Sequence, residues 1–123
     1  MGRFQGDLPK RTFEFARQIV ALIGALPQDT RGWVLGKQLL RSGTSIGANV
    51  READVAMSDA EFAQRCSVAR KEASETGYWI ALCQSAGFLG DAAAESALCE
   101  ADELLHILSA IVKKTQLHRA RHK

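Results

Sequence analysis

The residues with the clearest chemical potential are carboxylates. Glu72 and Glu75 stand one helical turn apart, with Trp79 a turn further on, and an upstream segment offers Asn49 and Glu52. Carboxylates arranged this way hold two metals in four-helix di-iron proteins, but such sites also take a Glu-x-x-His motif from each of two helices. Here all three histidines, His106, His118 and His122, fall in the C-terminal part of the chain. The other reading is a polar network between helices. In it a basic partner such as Arg41 or Arg65 and the amide of Asn49 satisfy the carboxylates, because half-buried polar groups demand partners. The sequence favours the network, and interfaces use such networks to fix register.

Three further motifs weaken on inspection. Gly43-Thr44-Ser45-Ile46-Gly47 matches the hydrolase nucleophile pattern, whose serine must stand on a sharp strand-to-helix turn. The preceding Leu39-Leu40-Arg41 continues a helical period instead, and no alternating segment exists to build a sheet. Gly32 through Lys37 lacks both the glycine spacing and the hydroxyl residue after lysine that a phosphate loop needs. His118 and His122 have the i, i+4 spacing of zinc ligands, but they are flanked by arginines, and no third ligand lies nearby. The same stretch is the most basic in the chain. Lys113, Lys114, Arg119, Arg121 and Lys123 carry no acid among them, a cluster able to grip phosphates. The alternative is a solvated helix end, since no aromatic lies among these residues to stack on bases.

Periodicity supplies the elements that position these groups. Thr12, Ala16, Ile19, Ile23 and Leu26 alternate steps of four and three, and Phe15 and Leu22 widen the apolar face; Pro9 suits the first turn and Pro27 the stop. Leu39, Gly43, Ile46, Val50, Ala53 and Met57 mark a second helix, beside a polar stripe of Gln38, Ser42, Ser45, Asn49 and Glu52. Gly36, Gly43 and Gly47 lie inside it. Each costs roughly 1 kcal/mol against alanine in a helix, so the expected return is close approach of another backbone, with helix 3 the expected neighbour. Ser58-Asp59-Ala60-Glu61 is a capping box that opens a third helix, with a seam from Phe62 through Cys66, Ala69, Ala73, Thr76, Ile80 and Cys83 to Gly87. After Gly87-Phe88-Leu89-Gly90, Ala94, Leu98, Ala101, Leu105, Leu108, Val112 and Thr115 form the fourth seam. The expected helices span about 8–26, 31–57, 59–87 and 91–117, with a basic tail over 113–123. Four seams of matched length pack as an all-α, antiparallel, up-down-up-down, left-handed four-helix bundle with crossings near ~20°.

A chain of 123 residues, 46% hydrophobic and 24% charged with two prolines, fits one folded domain over 1–123. Sixteen basic against fourteen acidic residues leave a net charge of +2, too small to imply a polyanionic partner by itself. The first residues lack a signal-peptide core, and no apolar run reaches the ~18 residues of a membrane helix. Cys66, Cys83 and Cys99 are odd in number and lack metal-ligand spacing, so a cytoplasmic protein with reduced thiols is expected.

Two stretches carry a family resemblance. Gln38-Leu39-Leu40-Arg41-Ser42-Gly43-Thr44-Ser45-Ile46-Gly47-Ala48-Asn49-Val50-Arg51-Glu52-Ala53 resembles the signature of the four-helix bundle proteins encoded in ribosomal RNA intervening sequences. Ala69 through Ile80 resembles that family's second motif, and Phe15 through Pro27 its first helix. Gly47 and Ala53 stand where the family usually has proline and glycine, departures that ease helix continuity. The resemblance implies a cytosolic bundle whose members can form ring-like pentamers, with no established enzymatic activity and no cofactor. It makes Ser45, Asn49, Glu52, Glu72, Glu75 and Trp79 a signature of fold and assembly. A relative, the accessory protein of diversity-generating retroelements, binds nucleic acid and a reverse transcriptase, but it is strongly basic, unlike this chain.

The sequence therefore leads to a non-enzymatic scaffold or adaptor that assembles with itself through helices 1 and 2. A nucleic-acid accessory protein using the basic tail is the alternative, and a carboxylate metalloenzyme ranks last.

Overall fold

The computed structural model describes residues 2–121. Over them it consists of four helices, α1 (Leu8–Ile23), α2 (Thr30–Asp54), α3 (Asp59–Ser85) and α4 (Asp91–Arg121), with no strand. His122 and Lys123 lie outside the described residues. Each helix packs on the next in sequence, and α1 also meets α4. Among the described residues no helix is long and apolar enough to cross a membrane.

Local chemistry sets the boundaries. Asp29 caps α2 by accepting from the backbone N–H groups of Arg31 and Gly32, and Ser58 caps α3 by accepting from Glu61 N–H at 3.1 Å. Glu61 reaches back to the N–H of Met57, one residue earlier than in the usual capping box. Asp7 makes no side-chain cap bond, and Pro9 stands in the first turn of α1. At the end of α3, Gly87 takes a φ of +78°, Gly87 N–H bonds Gln84 O at 3.0 Å and Phe88 N–H bonds Cys83 O at 2.9 Å. This is a Schellman termination, and it ends α3 two residues before the expected limit.

Other ends also differ from the expected ones. α1 stops at Ile23, because Gly24, Ala25 and Leu26 tighten into i to i−3 bonds ahead of Pro27, which disfavours helical geometry in the residue before it. α2 stops at Asp54. The N-terminal segment there supplies donors to the helix end: Arg3 N–H to Asp54 O at 2.9 Å, Phe4 N–H to the Asp54 carboxylate at 2.9 Å, and Arg3 Nε to Ala56 O at 3.0 Å. Met57, expected in the seam, is 91% exposed. α4 runs to Arg121, beyond the expected 117, so the helices are not of matched length. At 31 residues against 16 for α1, it is longer by about 20 Å at ~1.5 Å per residue.

Phe15, Ile19, Leu39, Ile46, Val50, Ile80, Leu104 and Leu108 are fully buried at the centre. The α3 seam is as periodicity predicts from Cys66 to Cys83, while Gly87 is exposed. On α4, Ala97 and Leu104 are buried, and Leu98 and Leu105 pack at the core margin. A helix with two neighbours buries a wider stripe than a single seam. Phe15 and Leu22 are buried in α1 on the same principle. The buried hydroxyls of Thr12, Ser42 and Thr76 bond back to carbonyls of their own helices. Burial pushes the Cys66 thiol up to about 11 and raises that of Cys83, so both are packing residues, whereas Cys99 is exposed.

Candidate functional site

α2 carries two stripes, and each meets a different neighbour. The glycines face α1. A Cβ on Gly43 would lie 2.8 and 2.9 Å from the branched carbons of Ile19, and one on Gly47 would lie 3.2 Å from the carbonyl oxygen of Thr12. At Gly36 the nearest atom is a terminal methyl of Leu26 at 3.3 Å, a softer contact. The tightest position is Gly32, where a Cβ would fall 1.7 Å from the carbonyl oxygen of Pro27. Periodicity missed Gly32 because it serves the α1–α2 turn rather than the helical seam. The glycine stripe is therefore spent within the chain, against α1 rather than α3, and α3's own Gly77 has nothing within 4 Å of an added Cβ.

The polar stripe faces α3. Arg41 bonds both carboxylates, through one guanidinium nitrogen to Glu72 at 3.2 Å and through the other to Glu75, and it also donates to Gln38 Oε1. Ser45 Oγ donates to Glu72 at 2.9 Å, and Trp79 Nε1 donates to Glu75 at 3.2 Å. Each carboxylate thus accepts from the guanidinium and from a second donor. Asn49 is joined less directly than expected. Its amide donates to Ser45 O at 2.8 Å and its oxygen accepts from Arg65 at 3.4 Å, so neither group reaches the carboxylates. Glu52 is exposed and joins none of these bonds, because it lies two turns, about 10 Å at ~1.5 Å per residue, beyond Ser45, the last α2 residue to reach Glu72. Among the described residues, no group of three or more His, Cys, Asp or Glu is placed to hold a metal ion.

Chemically, the arrangement is a clamp. The guanidinium is 49% exposed while Glu72 is mostly covered, so the ion pairs sit at the protein margin and contribute orientation more than energy. A second clamp, missed in the sequence, ties α1 to α4. Arg11 pairs in bidentate fashion with Glu100 at 2.8 and 2.7 Å and reaches Glu103 at 3.1 Å, and these bonds raise its already high pKa. Only the i, i+3 spacing of the two acids hinted at it.

Lys113, Lys114, Arg119 and Arg121 are exposed along the last turns of α4. They are presented on a helix rather than on a tail. Large apolar side chains are exposed as well: Phe13 at 63% and Val20 on α1, Trp33 at 65% and Val34 on α2, and Tyr78 and Leu82 on α3. Phe13, Ala16 and Val20 share one face of α1, while Val34 shares a face with Gln38 and Arg41.

The family model of the 23S rRNA-intervening sequence protein matches residues 7–110. Among solved structures, a protein of unknown function from the S23 ribosomal protein family of Bacteroides thetaiotaomicron is 40% identical, with a TM-score of 0.79 over 85% of this chain and 97% of that one. No curated protein matches the sequence.

Proposed function

The chain belongs to the 23S rRNA-intervening sequence protein family, and on that premise we propose that it is a non-enzymatic, self-assembling scaffold or adaptor. The observation that carries this reading is the outer apolar surface of α1 and α2. Phe13, Val20, Trp33 and Val34 are each more than half exposed, far more large apolar surface than their own bundle requires. Aromatic residues of this kind anchor protein interfaces.

We take the bundle as antiparallel, up-down-up-down and left-handed. The order of the α1–α2 contacts supports the antiparallel part: Thr12 lies against Gly47, Ile19 against Gly43 and Leu26 against Gly36, so one helix ascends as the other descends. The interface lies on the outer sides of α1 and α2, not on the glycine stripe. Two unlike faces, Phe13 with Val20 on α1 and Val34 beside the Arg41 clamp on α2, suit a head-to-tail contact that closes into a ring, for which five chains in the cytoplasm is the family-like expectation. Light scattering after size-exclusion chromatography tests this. Several chains are expected for the native protein, and a lower mass for Phe13→Asp with unchanged helical content. A monomer at micromolar concentration sinks the proposal.

A second reading, nucleic-acid accessory protein, is favoured by one feature, the continuation of α4 as a helix to Arg121 with its cations exposed. Binding by this end must weaken steeply with salt. Salt-insensitive binding, or binding unchanged when Lys113, Lys114, Arg119 and Arg121 are neutralised together, counts against it.

A further inference from the structure

The basic end of α4 does not stand alone in the fold. A groove of about 520 Å³ opens where it passes the N-terminal segment and the first turns of α3. Lys114, His118 and Arg119 line one side, and Arg3, Phe4 and Phe62 line the other. The sequence places no aromatic among the C-terminal cations, but the fold brings two beside them. Phe4 and Phe62 lie 5.4 Å apart between ring centroids, and the Arg3 guanidinium lies over the Phe62 ring at 5.6 Å. Asp59, the acid at the rim, is already bonded to Arg3 at 2.9 Å, an interaction that holds its carboxyl below the usual range. Lys114 and Arg119 therefore leave the groove with a positive bias.

Cations on one wall and a ring with a flat guanidinium on the other match the two parts of a nucleotide. Phosphate takes charge-assisted donors, and a base stacks on aromatic or guanidinium planes. The cations also continue past the groove to Lys113 and Arg121, which favours a polymer over a free mononucleotide. We propose that this groove binds single-stranded nucleic acid, with a phosphate on Lys114 and Arg119 and an unstacked base against the Arg3–Phe62 platform. The proposal rests on the nucleic-acid reading of the basic α4 end and gives it a site and a strand preference.

Fluorescence anisotropy with a short labelled oligo-uridine, set against a duplex of equal length over a range of salt, tests it on the full chain. The single strand should bind more tightly. Phe62→Leu should weaken it about tenfold or more, as loss of a stacking platform does. Phe62→Tyr, which keeps the ring, should retain binding, and an unchanged circular-dichroism spectrum and melting curve for Phe62→Leu separate lost stacking from lost folding. Lys114→Ala should lower the salt slope by about 0.7, the share of one phosphate contact with a single strand, and Lys113→Ala, outside the groove, by less. Equal binding of duplex and single strand, with Phe62→Leu unchanged, overturns the groove and leaves the basic-end reading standing. No binding of either probe at low salt overturns both.

Discussion

The two sides of α2 hold their neighbours by opposite means. Toward α1, Gly32, Gly43 and Gly47 remove side chains so that Pro27, Ile19 and Thr12 can approach. Toward α3, Gln38, Arg41, Ser45 and Asn49 add side chains that bond across or along the interface. Steric contact fails abruptly when a carbon is added, because interiors are close-packed. A half-exposed polar clamp fails gradually, since each acceptor keeps another donor and water can replace what is lost. One helix thus carries a rigid seam and a forgiving one, and the contacts of both are made within the chain.

The largest effect should come from the rigid side. Gly32→Ala puts a carbon into the Pro27 carbonyl, so its cost should reach or pass the upper end of the ~1–3 kcal/mol typical of overpacking, with the melting temperature falling on the order of 10 °C. A change below about 1 kcal/mol in a denaturant titration would mean that the turn yields and the seam is not rigid. On the forgiving side, Arg41→Ala should cost about 1 kcal/mol, because both ion pairs are solvent-screened and Ser45 and Trp79 still bond the carboxylates. Glu52→Ala, outside the clamp, should be neutral by the same titration. A glycine with no seam duty gives the opposite sign: Gly77→Ala fills open space in α3 and should stabilise by roughly 0.5–1 kcal/mol.

A further effect, read by its pH dependence, concerns the cap that opens α2. Bonds from Arg31, then from the Gly32 backbone, hold the Asp29 carboxyl below its ordinary value. A carboxylate depressed in the folded state stabilises above its unfolded pKa, and that contribution is lost as pH falls through the folded value. Asp29→Asn keeps a capping oxygen but drops the charge. The stability gap between wild type and variant should therefore be present at neutral pH and close under acid, below the usual carboxylate range. A gap that widened on acidification would reverse the assigned sign.

Helix number, order and approximate extent were legible because four apolar periods are separated by strong punctuation: Pro27, Ser58 with Glu61, and Gly87. That Glu72 and Glu75 pair across to α2 was legible for a related reason, since polar residues that recur at helical spacing beside a seam must find partners across it; spacing left Arg41 and Arg65 open as the cation, and only Arg41 reaches the carboxylates. Which neighbour the glycines face was not, because spacing marks a flat stripe without saying what lies against it. Nor did any period announce Arg3 and Phe4. Their positions depend on the carbonyl end of α2, which accepts their donors from a segment more than forty residues away in sequence. Glu52 was misplaced by treating the polar stripe as one line, when the bonds to Glu72 and Glu75 come from Arg41, Ser45 and Trp79 and Glu52 lies two turns beyond Ser45.

If both inner stripes of α2 are spent within the chain, assembly must use the outer apolar residues. Light scattering after size-exclusion chromatography on wild type, Trp33→Asp and Arg41→Ala tests that claim most directly. The account predicts a multi-chain wild type, a smaller particle for Trp33→Asp with its helices intact, and an unchanged mass for Arg41→Ala despite its lower stability. A monomeric wild type, or an assembly that survives Trp33→Asp and Phe13→Asp together but falls apart with Arg41→Ala, would contradict it.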